Sequence, residues 1–372
     1  MMNADKKGVS VIVCCYNSVS RLKETLHHLA VQQVDQDLLW ELIIVDNNST
    51  DDTAQYAKTI WEQLAPGTSI TIVKEPTPGL SYAREKGAAT AQYEILIFCD
   101  DDNWLDKSYI QTAFQVMHLN SKIGIAGGQS VAACETQKPE WFDRFGQAYA
   151  IGHPLLESGI ANKRTYLAGA GMIIRKSILE KLKSNGFIPM ISDRKANNLI
   201  SGGDAELCLA VMYMGYDLYY DSRLQFIHFM PAARLQWGYC VKMMTIGHAI
   251  PQLFLFLYSY SENSYLQNKE PIFENAIREL RKLIFKKSVK ALFFQKPFWL
   301  PFKLLLKSQP GSRKEIYLKS NLRKFVYLYV HASELKKAFE KLIVYLSNIH
   351  AAQSAEMPIN INDYTNLNLH EN

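Results

Sequence analysis

Through the first hundred residues, blocks of apolar and polar positions alternate. VSVIVCC (9–15), ELIIVD (41–46), SITIVK (69–74) and EILIFC (94–99) are continuous aliphatic runs, the pattern of strands covered on both faces. Helical patterns lie between them. Leu22, Leu26 and Leu29 share one stripe, Ala54, Ala57, Trp61 and Leu64 another, and a third helix is predicted over roughly 81–91. Ser49 to Asp52 reads as a capping box for the second helix, and PTPG (76–79) as a turn. Strand and helix alternating at this spacing predict a doubly wound α/β fold with a parallel sheet. From about 120 to 235 the pattern becomes mixed, with short strands expected at 123–130, 165–175 and 218–229 and a helix near 204–214. Beyond 236 the strands stop and helices with basic and aromatic faces take over. Residues 351–372 hold five Asn and no apolar period, and read as a disordered tail. The expected organisation is one domain over 1–235, a helical basic region over 236–350, and the tail.

Composition narrows the picture. With 372 residues, 48% of them hydrophobic and 21% charged, the chain can build a large core, which excludes a disordered protein or a collagen-like fibre. The net charge of +5 hides an asymmetry: residues 276–325 hold 14 Lys/Arg against two Glu, and the remainder holds 27 against 34. Over residues 273–291, Phe273, Ile277, Leu280, Ile284 and Ala291 form an apolar stripe, with Arg278, Arg281, Lys282, Lys286 and Lys290 largely off it, and Phe293, Phe294, Phe298 and Trp299 follow. Such a block predicts attachment to an anionic membrane surface; the alternative is a helical cap over the first domain. No nucleic-acid-binding module is visible. His248, Pro251 and Gln252 interrupt one apolar stretch, and Lys296, Pro297, Pro301 and Lys303 the other. Both fall short of the ~20 residues of a spanning helix, and no transmembrane helix is predicted. The polar N-terminus has no apolar leader, and the six cysteines form no CxxC pair and read as reduced thiols. The expected location is cytoplasmic, peripheral on the inner membrane face.

In open α/β sheets ligands gather at the carboxyl ends of the strands. Those ends read Cys15-Tyr16-Asn17, Asp46-Asn47-Asn48 and Asp100-Asp101-Asp102-Asn103. Successive carboxylates repel one another, and a hard cation, Mn²⁺ or Mg²⁺, is the simplest group that stabilises them. In extended chain Asp100 and Asp102 point to the same side. The plainer alternative is a solvated acidic turn capping the next helix. No GxGxxG or GxxxxGK[ST] follows any strand, which argues against a dinucleotide oxidoreductase and a P-loop enzyme.

VSVIVCCYN, LIIVDNNSTDDT and GLSYAREKGAATAQYEILIFCDDDNWL resemble, in order, spacing and strand context, the opening of the family 2 glycosyltransferases, inverting enzymes of the GT-A fold. TYLAGAGMIIRKSIL (165–179) and GGDAELCLAVMYMGY (202–216) extend the resemblance over about 9–230. It implies a GT-A type, Rossmann-like fold: a mixed, mainly parallel sheet flanked by helices. It also implies a nucleotide-sugar site of Tyr16, Asn17, Asp46, Arg84, Asp100 and Asp101, with Asp102 holding the metal and His228 completing that site. Glu85 stands where the family has Asn, Gly203 where it has Glu, and Ala210 where an Arg is common. The catalytic base maps onto Asp204, with Glu206 as second choice; Asp204 could also be a helix N-terminal charge favoured by the dipole. His228 could equally be structural. Gly169, in the glycine-rich 169–171 segment, would let the donor sugar approach the backbone, or else serves tight packing. The implied reaction moves a sugar from a nucleotide-sugar, a UDP-sugar foremost, to a glycan or lipid-linked acceptor in surface polysaccharide or glycolipid assembly. The rivals are a sugar-nucleotidyltransferase and a non-catalytic, membrane-attached binding protein of the same fold.

Overall fold

The structure, a computed structural model, describes residues 8–65, 69–162, 166–191, 199–267, 269–293 and 309–356. The first half alternates β1 (Gly8–Cys15), α1 (Leu22–Ala30), β2 (Leu39–Asp46), α2 (Thr53–Leu64), β3 (Ile70–Lys74), α3 (Leu80–Thr90) and β4 (Ile95–Asp100). There follow β5 (Asn103–Leu105), α4 (Tyr109–Leu119), β6 (Ile123–Cys134), β7 (Gly159–Ile160), β8 (Met172–Arg175), α5 (Lys176–Ser184), α6 (Gly203–Tyr213) and β9 (Asp217–Met230). The strands join in one sheet of order β3-β2-β1-β4-β8-β6-β9-β5, with β7 on β9. The first four strands in this order are parallel, β8 is antiparallel to both its neighbours, and β6 and β9 are parallel again. This is the expected mixed α/β sheet.

Period-two alternation sorts the strand residues onto the two faces. Val9, Val11 and Val13 pack with Leu22, Leu26 and Leu29 of α1, Trp61 of α2 and Ile110 and Val116 of α4. Ile12, Ile43, Val45 and Phe98 face the other way, toward α3, α5 and α6. Cys15 and Cys99 are buried, and burial raises both thiols well above their ordinary value.

Three local expectations change. The capping box at Ser49–Asp52 does not form. Helix α2 starts at Thr53, whose N–H donates to Asp51 Oδ1 at 3.1 Å, while Ser49 Oγ accepts from Asn17 N–H at 3.1 Å. The loop's polar groups thus tie the ends of β1 and β2 together instead of capping a helix. Of the strand expected at 165–175 only Met172–Arg175 forms, because Gly171 turns to φ +71° and its carbonyl accepts from Tyr109 Oη at 2.6 Å. The stretch expected as a tail from residue 351 is helical as far as Glu356, and 357–372 lie outside the described residues.

The C-terminal region is helical, as expected: α7 (Trp237–Lys242), a π turn (Met243–His248), α8 (Pro251–Leu266), α9 (Phe273–Phe293), α10 (Arg313–Val330) and α11 (Ala332–Glu356). Pro251 does not interrupt the helical run. It occupies the first turn of α8, where its missing N–H is tolerated, and the Gly247 carbonyl is taken by Ser201 N–H at 3.0 Å. Trp237–Leu266 is therefore continuous over 30 residues, long and apolar enough to cross a membrane, yet 56% of its most apolar window is buried inside the protein. No break in the core marks residue 235. Leu257 and Tyr258 of α8, Ile277, Leu280 and Ile284 of α9 and Leu342 and Tyr345 of α11 share one cluster with Ile12 and Ile174. The α9 stripe read as membrane-facing thus points inward, the cap arrangement. Phe294, Phe298 and Trp299 lie outside the described residues, as do the side chains of Lys290, Ala291 and Phe293.

Candidate active site

A cleft of about 1850 Å³ opens at the carboxyl ends of β1, β2 and β4, where parallel strands leave loops and no covering helix. Tyr16, Arg84, Asp100, Asp102, Gly169, Asp204 and His228 all line it. One cavity therefore gathers residues from positions 16 to 228.

The acidic triplet divides by side-chain direction. Asp101, expected among the nucleotide-sugar residues, spends its carboxylate on the loop after β1. Arg21 Nε donates to Oδ1 at 2.9 Å, Arg21 Nη2 to Oδ2 at 2.7 Å, and Ser18 Oγ also donates to Oδ2. Burial, and then the charge of Asp102, raise this carboxyl above the ordinary carboxylate value, against the pull of Arg21. Asp101 is thereby a brace for that loop. Asp102 is seated by the sheet: Asn103 pairs with His228 in the β5–β9 ladder, and Phe229 N–H donates to the Asp102 carbonyl at 2.9 Å. The register brings His228 Nε2 to 3.4 Å from Asp102 Oδ1, while Arg234 Nη1 donates to Oδ2 at 2.9 Å.

Asp101 still lines the cleft, whereas Asn17 and Asp46 do not. Asn17, at φ +50°, uses its side-chain oxygen to accept from Thr50 N–H at 2.8 Å, locking the β1 and β2 loops together. Asp46 is 4% exposed and accepts from Ser49 N–H at 3.0 Å. From that loop Asn47 and Asn48 line the cleft instead.

On the opposite wall, Asp204 sits in the first turn of α6. Its Oδ2 accepts from Gly169 N–H at 3.0 Å and its Oδ1 from Ala205 N–H at 2.8 Å. Arg84 lies over the Phe98 ring, 5.4 Å from its centroid, with Nη2 3.9 Å from Asp100 Oδ1. At Gly169 a Cβ would stand 2.6 Å from Arg84 Nη2, so a larger residue there would displace the guanidinium. Glu206, the second-choice base, is excluded from the cleft: fully buried, it accepts from Met190 N–H (2.8 Å), Ile191 N–H (2.9 Å) and Tyr258 Oη (2.9 Å).

Asp102 and His228 fit a divalent cation. A carboxylate and an imidazole stand side by side, and His228 Nδ1 is buried without a partner among the described residues. Among those residues no group of three or more His, Cys, Asp or Glu is assembled for a metal. Protein ligands would thus be few, in keeping with cations that take their remaining ligands from phosphates and water. Sequence reasoning missed Arg21 and Arg234. The triplet did announce a need for cations, but which arginines answer it depends on loop paths without a periodic signature.

A doubly wound sheet whose strand ends carry an aspartate and a carboxylate-histidine pair, beside an arginine of α3 and opposite a helix-borne aspartate, has the layout of the GT-A fold. Residues 10–183 match the model of glycosyl transferase family 2. Glycosyltransferase GlyA of Streptococcus pneumoniae is 25% identical over 183 residues, 47% of this chain and 25% of that protein. The cholesterol galactosyltransferase of Borreliella burgdorferi is 31% identical over 110 residues, 29% of each chain. This chain thus matches under a third of either relative's length. Among solved structures, Staphylococcus aureus TarS 1–349 in complex with UDP-GlcNAc aligns over 94% of this chain and 92% of its own at 15% identity and a TM-score of 0.49. The mannosyltransferase PcManGT of Pyrobaculum calidifontis, in complex with GDP-Man and Mn²⁺, aligns over 94% and 89% at 16% identity and a TM-score of 0.46.

Proposed function

We propose that this chain transfers a sugar from a nucleotide-diphosphate sugar, a UDP-sugar being the first to test, to an acceptor hydroxyl with inversion at the anomeric carbon, in surface polysaccharide or glycolipid assembly. The observation that carries the reading is the gathering of Asp100, Asp102, His228 and Arg84 in the same cleft as Asp204. Asp102 and His228 would hold Mn²⁺ or Mg²⁺, which when bound neutralises charge on the diphosphate. Arg84, 3.9 Å from Asp100, would bind the donor, and Tyr16, half-exposed at the end of β1, would cover it. Asp204 takes the acceptor proton as the sugar leaves. Its two backbone N–H donors fix the direction of the carboxylate toward the cleft. This is one displacement with one base, so no nucleophilic side chain is required.

Two substitutions test it. Asp204→Asn should lower transfer by ~10²–10⁴ and leave donor affinity within about twofold, since general-base contributions are of that size and the base acts on the acceptor. Asp102→Asn should abolish metal-dependent donor binding and turnover together. Metal-dependent turnover unchanged in Asp102→Asn, or donor binding lost in Asp204→Asn, would overturn these roles.

A further inference from the structure

The cleft extends beyond the strand ends. Part of its wall is built by α9 and α10, which place Lys287, Arg313, Lys314, Asn321 and Lys324 along it. The same cavity therefore carries carboxylates from the sheet and α6 and cations from the C-terminal helices. Asp143 also lines it but is paired with Lys138 at 2.7 Å.

Several cations of the basic block that turn elsewhere are engaged: Lys319 with Glu315 at 2.6 Å, Lys282 with Glu279 at 2.8 Å, and Arg281 4.9 Å above the Tyr329 ring. Lys287 and Lys324 have no carboxylate partner among the described residues. Lys324 Nζ donates only to the neutral Gln252 Oε1 of α8. Burial first, and then the charge of Lys287, bring the Lys324 ammonium down to about 8. One turn earlier on α10, Asn321 is 5% exposed, and its Nδ2 has no hydrogen-bond partner among the described residues. Two ammonium groups close enough to act on each other along one cleft wall, and a buried amide donor without a partner among the described residues, are an unfavourable arrangement, and an oxyanion relieves all three.

We infer that Lys287, Asn321 and Lys324 form an oxyanion subsite for a phosphate-bearing acceptor, which anchors the acceptor while its hydroxyl reaches Asp204. This rests on the proposed transfer reaction in the same cleft. The shared chemistry is a phosphate ester, supplied either by a lipid phosphate or by a soluble phosphodiester.

The test is calorimetric titration of the full chain with inorganic phosphate, in excess chelator so that no metal bridges phosphate to Asp102. Saturable binding is expected, weakened at least ~10-fold by Lys324→Gln and by Lys287→Gln, the loss that about one charge-assisted hydrogen bond represents. The two variants keep the test open if one fails to fold. Phosphate binding that is absent in the wild type, or equal in the folded variants, overturns the subsite. Vesicles of phosphatidic acid in phosphatidylcholine then separate the sources. Lys324-dependent recruitment supports a lipid phosphate, and phosphate binding without recruitment supports a soluble phosphodiester. Metal-dependent hydrolysis of nucleotide-sugars by the wild type is measured alongside. Hydrolysis with no Lys324-dependent phosphate binding removes the subsite alone; phosphate binding with no hydrolysis removes the transferase reading and leaves an anion site.

Discussion

Glu206 and Asp204 stand two residues apart at the start of one helix, and Glu206→Gln distinguishes their roles. Three donors converge on the Glu206 carboxylate, from Met190, Ile191 and Tyr258, and none of its surface meets solvent. Glutamine preserves the volume but replaces one acceptor oxygen with a donor. At least one N–H or O–H then faces another donor, at ~1–3 kcal/mol, and the remaining bonds lose their ionic character, at ~1 kcal/mol each. The sum, ~3–5 kcal/mol, matches the usual effect of unpairing a buried charged group. At ~2 °C per kcal/mol, the lower value for large domains, the melting temperature should fall by ~6–10 °C. Differential scanning calorimetry reads the shift, and donor hydrolysis at a temperature where the variant is folded reads the chemistry, which should stay within about tenfold of wild type. A variant of unchanged melting temperature that has lost turnover ~10²-fold or more would refute the reasoning, making Glu206 the base and Asp204 the brace.

Two further outcomes are expected. Gly169→Ala drives a Cβ against the Arg84 guanidinium, so donor affinity measured by titration should weaken ~10-fold or more; unchanged affinity would remove Arg84 from the donor site. Lys324, with a folded pKa near 8 against an ordinary 10.5, binds fewer protons folded than unfolded between those values, so its penalty is full below pH 8 and fades as pH rises toward 10.5. The melting temperature of the wild type relative to Lys324→Met should therefore rise from pH 8 to pH 10; a flat or falling difference would contradict the placement of Lys324.

The central strands were legible because burial on both faces leaves an unbroken aliphatic run, as in Val9–Cys15, and little else produces one. The strand-end carboxylates were legible for the same reason, since a charge that ends such a run must sit at a sheet edge. Which carboxylates face the cleft was less so. Asp101 and Asp102 differ by half a pleat, and their fates depend on Arg21 and Arg234, far away in the chain. The pairing of Asn103 with His228 is a long-range register that no local pattern announces. What the C-terminal stripe packs against was not legible: Ile277, Leu280 and Ile284 look the same whether they meet lipid or their own domain. Pro251 was read as a breaker because the Ser201 N–H that compensates for it comes from another segment.

That compensation has a consequence for engineering. Ser201 hydrogen-bonds to the π turn, Gly202 at φ +152° packs against Pro251, and Asp204 follows two residues later, while the next residue of α8, Gln252, holds Lys324. The strut that seats Asp204 is thus continuous with the one that holds the cationic wall. Grafting α8–α10 from a relative to alter that wall would also re-aim Asp204. A working graft boundary would have to fall before residue 199, carrying the loop and α6 together with the helices that press on them.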